Sequence, residues 1–138
     1  MSPTRIIRGV AAFDLFVTAI LAVPVLAHAF VRIIYFVESK LIGVDALAPV
    51  IPPVGWLFFN IAGILGVLWA LVRLAMPLRE LSIADAVARC VVAAMIAYYC
   101  LAESVPSILF AFVATEVLGT AIQWMAIRQP GFRSTILD

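Results

Sequence analysis

The chain has 138 residues, of which 66% are hydrophobic and 12% are charged, and its mean hydropathy is +1.20. Soluble domains are about half apolar and about a quarter charged, so this composition excludes an ordinary water-soluble fold. The net charge of +1 gives no basic surface for nucleic acid, and we expect no nucleic-acid partner. A membrane span needs ~20 residues, so four spans with short loops use the whole chain, and we predict a single transmembrane domain over residues 1–138.

The basic residues predict how these spans are oriented. Arginine stands before the first long apolar run, after the second, at the start of the third and at the end of the fourth: Arg5, Arg8, Arg73, Arg79, Arg89, Arg128 and Arg133. The intervening boundaries mix acidic with basic residues. Because positive charge accumulates in cytoplasmic loops, both termini are expected in the cytoplasm. The chain is therefore predicted to be a multi-pass protein of the inner (plasma) membrane.

The first predicted span covers residues 9–35, which is longer than one bilayer crossing and predicts a tilted or protruding helix. Pro24 lies inside this span and predicts a kink. An alternative interpretation is that residues 1–29 are a cleavable signal peptide, because an apolar stretch follows two arginines and residues 27–29 have the A-x-A form. Asp14 interrupts the apolar stretch, which favours a retained helix.

The remaining spans are predicted over residues 54–76, 84–103 and 106–127. Residues 36–53 form the outer loop, in which apolar residues recur with helical spacing and predict a short segment lying in the membrane interface. Only two residues separate the last two spans, so these form a tight antiparallel hairpin. The predicted fold class is an all-α integral membrane bundle, with four transmembrane helices arranged as two antiparallel hairpins.

Polar side chains within the spans bear most directly on function, because a charge in hydrocarbon normally faces the bundle interior or water. Depth counted at ~1.5 Å per residue places several of them in the cytoplasmic half. We predict a buried cluster there of Asp14, Arg89, Glu116, Thr120 and Gln123. Glu116, Thr120 and Gln123 share one helical face. Glu116 lies at mid-depth, where a short side chain cannot reach the interface, so it must be protonated, paired or hydrated.

A second cluster is predicted near the outer face from His28, Arg32, Asn60 and Glu103, with an apolar layer between the two clusters. Structural interpretations stay open for its members. His28 and Arg32 lie near the interface, where a solvated role is common, and Asn60 could serve as a helix–helix hydrogen bond.

Structural interpretations also apply to the charged residues near the cytoplasmic ends. Ser82 and Asp85 have the spacing of a capping box, so Asp85 is predicted to cap the third span. Arg73 and Arg89 lie near span ends and could extend to lipid phosphates. Asp14 could be neutralised by Arg89 as a purely structural pair.

The motifs of common soluble enzymes are absent from the sequence. There is no glycine-rich nucleotide loop, no zincin motif and no nucleophile elbow. The one histidine excludes a multi-histidine metal or haem site within a single chain. Cys90 and Cys100 lie ten residues apart in the third span and are interpreted as small apolar residues rather than a disulfide or metal ligands. We expect no metal, no cofactor and no catalytic residues.

Three functions are compatible with this sequence. The favoured one is an accessory or scaffold subunit of a membrane complex, or a lipid- or quinone-binding bundle, with membrane lipid and either a second copy or a larger complex as partners. The second is a homo-oligomeric proton-coupled transporter or channel that uses Glu116 and Asp14 as proton carriers. The third is a lipid-modifying enzyme that uses Glu103 and His28 near the outer surface. Water access to Glu116 would favour transport, whereas a sealed Glu116 would favour a scaffold.

Overall fold

A computed structural model describes residues 2–43, 48–103, 105–130 and 132. Within these residues the chain is helical with no strand, and the predicted all-α class is confirmed. The helices are α1 (Pro3–Ala22), α2 (Pro24–Ile42), α3 (Pro53–Ala75), α4 (Arg79–Ala102) and α5 (Phe110–Ile127), with a short 3-10 turn over Ser107–Leu109 directly before α5.

Three helical segments of the described chain are long and apolar enough to cross a membrane: Pro53–Ala75, Arg79–Ala102 and Ser107–Ile127. The bent pair α1 and α2 adds a fourth crossing if it is counted as one broken span. The predicted membrane character of the chain is confirmed at this level.

The distribution of side chains agrees with contact to lipid. Phe16 is 68% exposed and Leu118 is 61% exposed, whereas Arg73 is 1% exposed and Gln123 is fully buried. Soluble proteins keep charged side chains at the surface and large apolar ones inside. The opposite arrangement indicates that polar groups pack inward and apolar groups face hydrocarbon.

The predicted first span, residues 9–35, is not one continuous helix. α1 ends at Ala22, α2 begins at Pro24, and their axes differ in direction by 100°. Pro24 has no N–H to donate, its ring clashes with the carbonyl four residues earlier, and it favours an extended conformation at Val23. Val23 has φ −100° and ψ 117°, as this restriction requires. The predicted kink is therefore a sharp bend of 100° that separates α1 from α2.

The outer helical segment predicted within residues 36–53 begins earlier than expected, because α2 already starts at Pro24. α2 ends at Ile42, and Gly43 follows it with φ 70°. Glycine adopts this left-handed conformation without strain, so it terminates the helix. Residues 44–47 of the predicted interfacial segment lie outside the described residues.

α1 and α3 pack antiparallel at very close range. An added Cβ on Gly63 would stand 2.8 Å from the Cα of Ala22, and one on Gly66 would stand 2.6 Å from a methyl carbon of Thr18. Small residues allow such backbone approach in membrane helix pairs. Asn60 Nδ2 also donates to the Leu21 carbonyl at 2.8 Å. That carbonyl lacks its helical partner because α1 ends one residue later.

α2 is attached to the start of α5 through a buried carboxylate that sequence reasoning missed. Glu38 is 7% exposed. Its Oε1 accepts from the backbone N–H and the hydroxyl of Ser107, both at 2.8 Å, and its Oε2 accepts from the backbone N–H of Ile108 at 2.9 Å. These N–H groups open a helix and have no partner within it, so Glu38 caps the segment that leads into α5.

Candidate functional site

Asp85 is the most highly connected side chain in the interior. Its Oδ1 accepts from Trp69 Nε1 at 2.6 Å. Its Oδ2 accepts from Arg73 Nη1 at 2.5 Å, from Arg89 Nε at 2.9 Å and from Gln123 Nε2 at 2.5 Å. Asp85 thus joins α3, α4 and α5 through one carboxylate.

Two further carboxylates complete this network. Asp14 of α1 forms ion pairs with Nη2 of both Arg73 and Arg89. Glu116 Oε2 of α5 accepts from Arg89 Nη1 at 2.8 Å. The ionic cluster is the set of five charged side chains Asp14, Arg73, Asp85, Arg89 and Glu116, and it connects four helices.

Helical periodicity places the members of the ionic cluster on facing sides of their helices. Asp85 and Arg89 are four residues apart on α4, so both project from one face. Glu116 and Gln123 are seven residues apart on α5 and likewise share a face. Gly119 lies between these two, and an added Cβ there would stand 2.8 Å from Arg89 Nη1. The absence of a side chain at this position leaves room for the guanidinium.

Two of the three carboxylates are more exposed than the rest of the ionic cluster. The side chains of Arg73 and Arg89 are 1% and 7% exposed, and Asp85 is 6% exposed. Asp14 and Glu116 are 16% and 22% exposed. Buried charges are tolerated only when they are paired and hydrogen-bonded, and each of these five is paired. The two carboxylates of Asp14 and Glu116 are the accessible part of the cluster.

A cavity of about 660 Å³ lies above the ionic cluster, between the α1–α3 pair and the α4–α5 pair. Its floor contains all five charged residues of the cluster. Its walls are apolar and come from every helix, including Val17 of α1, Ile34 of α2, Phe59 of α3, Ile96 of α4 and Phe112 of α5. The cavity extends to residues 49, 51, 105 and 106, in the connections at the opposite end. This volume is within the usual range of ~300–1,000 Å³ for small-molecule sites.

A second space, a groove of about 620 Å³, lies between the first half of α1 and the second half of α5. Arg5 and Gln129 lie along it, together with apolar residues. Phe13, Arg89 and Thr115 line both the cavity and the groove. These three side chains therefore form the partition between the two spaces.

The structure brings together four of the five residues predicted for the cytoplasmic half. Asp14, Arg89 and Glu116 are paired directly, and Gln123 is joined to them through Asp85. Thr120 is not part of the network: its hydroxyl is buried with no hydrogen-bond partner among the described residues.

Two of the structural interpretations are wrong. Asp85 does not cap a helix, because α4 begins at Arg79 rather than at residue 84 and Asp85 lies in its second turn. Arg73 and Arg89 do not extend to the membrane surface, because their side chains are 1% and 7% exposed and are paired with carboxylates of the ionic cluster. The i, i+4 spacing of Asp85 and Arg89 could have revealed their ion pair from the sequence, since opposite charges at that spacing form pairs.

The four residues predicted for the outer cluster are not joined by any hydrogen bond or ion pair within the described residues. His28 is exposed and stacks on Trp56, with ring centroids 3.7 Å apart. Asn60 instead donates a hydrogen bond from Nδ2 to the Leu21 carbonyl. Arg32 and Glu103 are exposed.

The described residues contain no group of three or more His, Cys, Asp or Glu side chains that could hold a metal ion. Cys90 is exposed and Cys100 is half-buried, and both are free thiols. No protein-family model matches the chain, and no curated protein or solved structure matches it either.

Proposed function

We propose that this chain is a four-span membrane protein, with both termini in the cytoplasm, that binds an amphipathic small molecule of the lipid or quinone class in the cavity. The observation that carries this proposal is an apolar space of about 660 Å³ whose floor is an ionic cluster. Such a site accommodates an apolar chain and a polar head group at the same time. A ligand-binding bundle of this kind could act alone or as a subunit of a larger membrane complex.

The orientation is supported by the residues at the end of the bundle nearest to the groove. Arg8 Nε donates to the Leu74 carbonyl at 3.2 Å, which brings the start of α1 beside the end of α3. Arg5 lines the groove together with Gln129 of the segment after α5. Arg79, the first residue of α4, belongs to the same end of the bundle. An end rich in arginine is expected on the cytoplasmic side.

The polar head group must supply most of the selectivity. An apolar chain that enters the cavity leaves lipid, which is already apolar, so its transfer contributes little free energy compared with transfer from water. Polar contacts with the ionic cluster are different, because they form in an environment of low dielectric constant. The bound molecule is therefore distinguished from bulk lipid by its head group.

A cavity-filling substitution tests this proposal. Ile96→Trp places a larger side chain in the cavity, whereas Met95→Trp adds the same ring at a neighbouring position of α4 that is 52% exposed and does not line the cavity. We expect small molecules that co-purify with the wild-type chain, detected by native mass spectrometry, to be retained by Met95→Trp and lost from Ile96→Trp. Equal retention by both variants would contradict binding in the cavity.

Proton-coupled transport is the second candidate, and one observation favours it. The cavity and the groove meet at the partition of Phe13, Arg89 and Thr115, and Glu116 lies beside this partition with 22% of its side chain exposed. Glu116 lines the cavity and is paired with Arg89, which also lines the groove. Glu116 could therefore pass a proton between the cavity and the groove. In reconstituted vesicles, Glu116→Gln should then abolish proton flux, and unchanged flux would exclude this role.

The geometry does not favour a lipid-modifying enzyme built on His28 and Glu103. Neither residue lines the cavity or the groove. His28 is stacked against Trp56, on the helix that carries Asn60, while Glu103 follows α4.

A further inference from the structure

We infer that the head group bound at the floor of the cavity is cationic, as in a long-chain amine or quaternary ammonium amphiphile. This inference rests on the proposed function, because it assumes that the cavity holds an amphiphile. It concerns which head group is preferred, and it follows from the charge and the accessibility of the individual atoms in the ionic cluster.

The ionic cluster has an excess of negative charge. Its three carboxylates face two guanidinium groups, so with all five groups ionised one negative charge is left without a counter-charge within the cluster. An uncompensated charge in an environment of low dielectric constant is unfavourable. A cationic head group at the cavity floor would neutralise this excess.

Five of the six guanidinium nitrogens of the ionic cluster already donate to its carboxylates. All three nitrogens of the Arg89 guanidinium donate, to Asp85, Glu116 and Asp14. Both terminal nitrogens of Arg73 donate to Asp85 and Asp14, and its Nε has no partner among the described residues but is buried. Each terminal nitrogen carries a second N–H, but the two side chains are only 1% and 7% exposed, so an anionic head group would have little access to these donors.

The most exposed side chains of the ionic cluster are two carboxylates, Asp14 at 16% and Glu116 at 22%. Asp14 accepts through Oδ2 and Glu116 accepts through Oε2. No described residue donates to Asp14 Oδ1 or Glu116 Oε1, and both residues line the cavity. An ionised carboxylate can only accept hydrogen bonds. The floor thus presents unpaired negative oxygen atoms, which attract a cation and repel an anion.

Trp69 adds a second feature that suits a cation. Its ring lines the cavity, and its Nε1 is held by Asp85 at 2.6 Å. This hydrogen bond fixes the indole beside the carboxylates. Aromatic rings stabilise ammonium groups that approach their faces, so Trp69 is a candidate contact for a quaternary ammonium head.

The test compares amphiphiles that share one apolar chain and differ in head group. The purified full chain, in nanodiscs of zwitterionic lipid, is titrated with dodecylamine, dodecyltrimethylammonium, dodecanol and dodecanoate at neutral pH, with empty nanodiscs as the reference for partitioning. We expect both cations to bind at least about tenfold more tightly than dodecanol, a difference of about 1.4 kcal/mol, and dodecanoate to bind most weakly.

Glu116→Gln and Glu103→Gln are the matched variants. Glu116 has a single ion-pair partner, so its neutral isostere should still fold, and we expect it to reduce the preference for cations over dodecanol to less than about threefold. Glu103→Gln removes an exposed carboxylate outside the cavity and should keep the full preference. Retention of the full preference in Glu116→Gln would overturn the role of this carboxylate.

The outcomes separate this inference from the proposed function. If dodecanol or dodecanoate binds the wild-type chain as tightly as the cations, the inference is overturned while binding of an amphiphile stands. This is also the result expected if a proton, rather than a cation, neutralises Glu116. If Ile96→Trp binds every amphiphile as the wild type does, or if none binds above the empty nanodisc, the proposed function fails as well.

Discussion

Replacing Arg73 by methionine should destabilise the bundle strongly. Arg73 is the only basic residue of α3 in the ionic cluster, and it holds Asp14 of α1 and Asp85 of α4 through two different nitrogens. Methionine is long and apolar, so the substitution removes the charge while filling much of the same space. Three carboxylates would then face Arg89 alone.

The magnitude follows from burial. Arg73 is 1% exposed and Asp85 is 6% exposed, so water cannot replace the lost ion pairs. Removing one partner of a buried pair costs ~3–5 kcal/mol, because the other charge is left without compensation. We expect a decrease of about 3 kcal/mol or more in the free energy of unfolding. Arg73→Lys should cost less, since the charge is kept, but a single ammonium cannot reproduce the two-nitrogen bridge.

Reversible unfolding of the detergent-solubilised chain by SDS measures this loss, followed by the fluorescence of the three tryptophans, one of which is Trp69 beside the cluster. Arg79→Met is the matched control: it makes the same substitution at an exposed arginine and should change stability by less than about 1 kcal/mol. Adding Asp85→Asn to Arg73→Met removes one charge of each sign, so the double variant should lose less stability than the sum of the single losses. Equal stability of Arg73→Met and Arg79→Met would refute the structural role of the cluster.

Three further substitutions test the packing between helices by the same unfolding measurement. Gly63→Ala should lower the free energy of unfolding by ~1–3 kcal/mol, because the added Cβ clashes with the backbone of α1. At Gly9 a Cβ meets nothing within 4 Å, so Gly9→Ala should be neutral or stabilising. Identical effects of the two substitutions would contradict the close α1–α3 contact. Glu38→Gln should cost ~1–2 kcal/mol, because an amide cannot accept all three hydrogen bonds at the start of α5, while the exposed Glu103→Gln should have no effect. Asn60→Leu should cost ~0.5–1.5 kcal/mol by leaving the last turn of α1 without its donor, and wild-type stability would show that water or lipid replaces it.

The predicted bounds agree with α3, but they miss the start of α4 by five residues and the division of the first span into α1 and α2. α3 was predicted over residues 54–76 and occupies Pro53–Ala75, because prolines mark both of its ends. The first span was predicted as a single helix, since its apolar character continues past Pro24. Hydropathy does not show the direction of a helix axis, and a proline can produce either a small kink or a sharp bend. The contacts of α2 with α3 and with the turn before α5 decide between them.

The sequence likewise predicted some residues of the candidate site and missed others. Asp14, Arg89 and Gln123 were predicted to meet because their depths are similar, and Glu116 was added because it shares a helical face with Gln123 and a buried charge needs a partner. Arg73 was missed because a long side chain near a helix end can also reach the membrane surface. Glu38 was missed because it lies outside every predicted span, and only the fold brings the start of α5 to it.

The sequence by itself was sufficient to predict the all-helical membrane class and both ends of α3. Both are local properties, because a segment in hydrocarbon must satisfy its own backbone hydrogen bonds and proline stops it from doing so. Only the tertiary structure decided which charges pair and that a cavity lies above them. Those features depend on how each helix is rotated about its axis, and that rotation is set by contacts between distant segments, such as Gly63 against the end of α1.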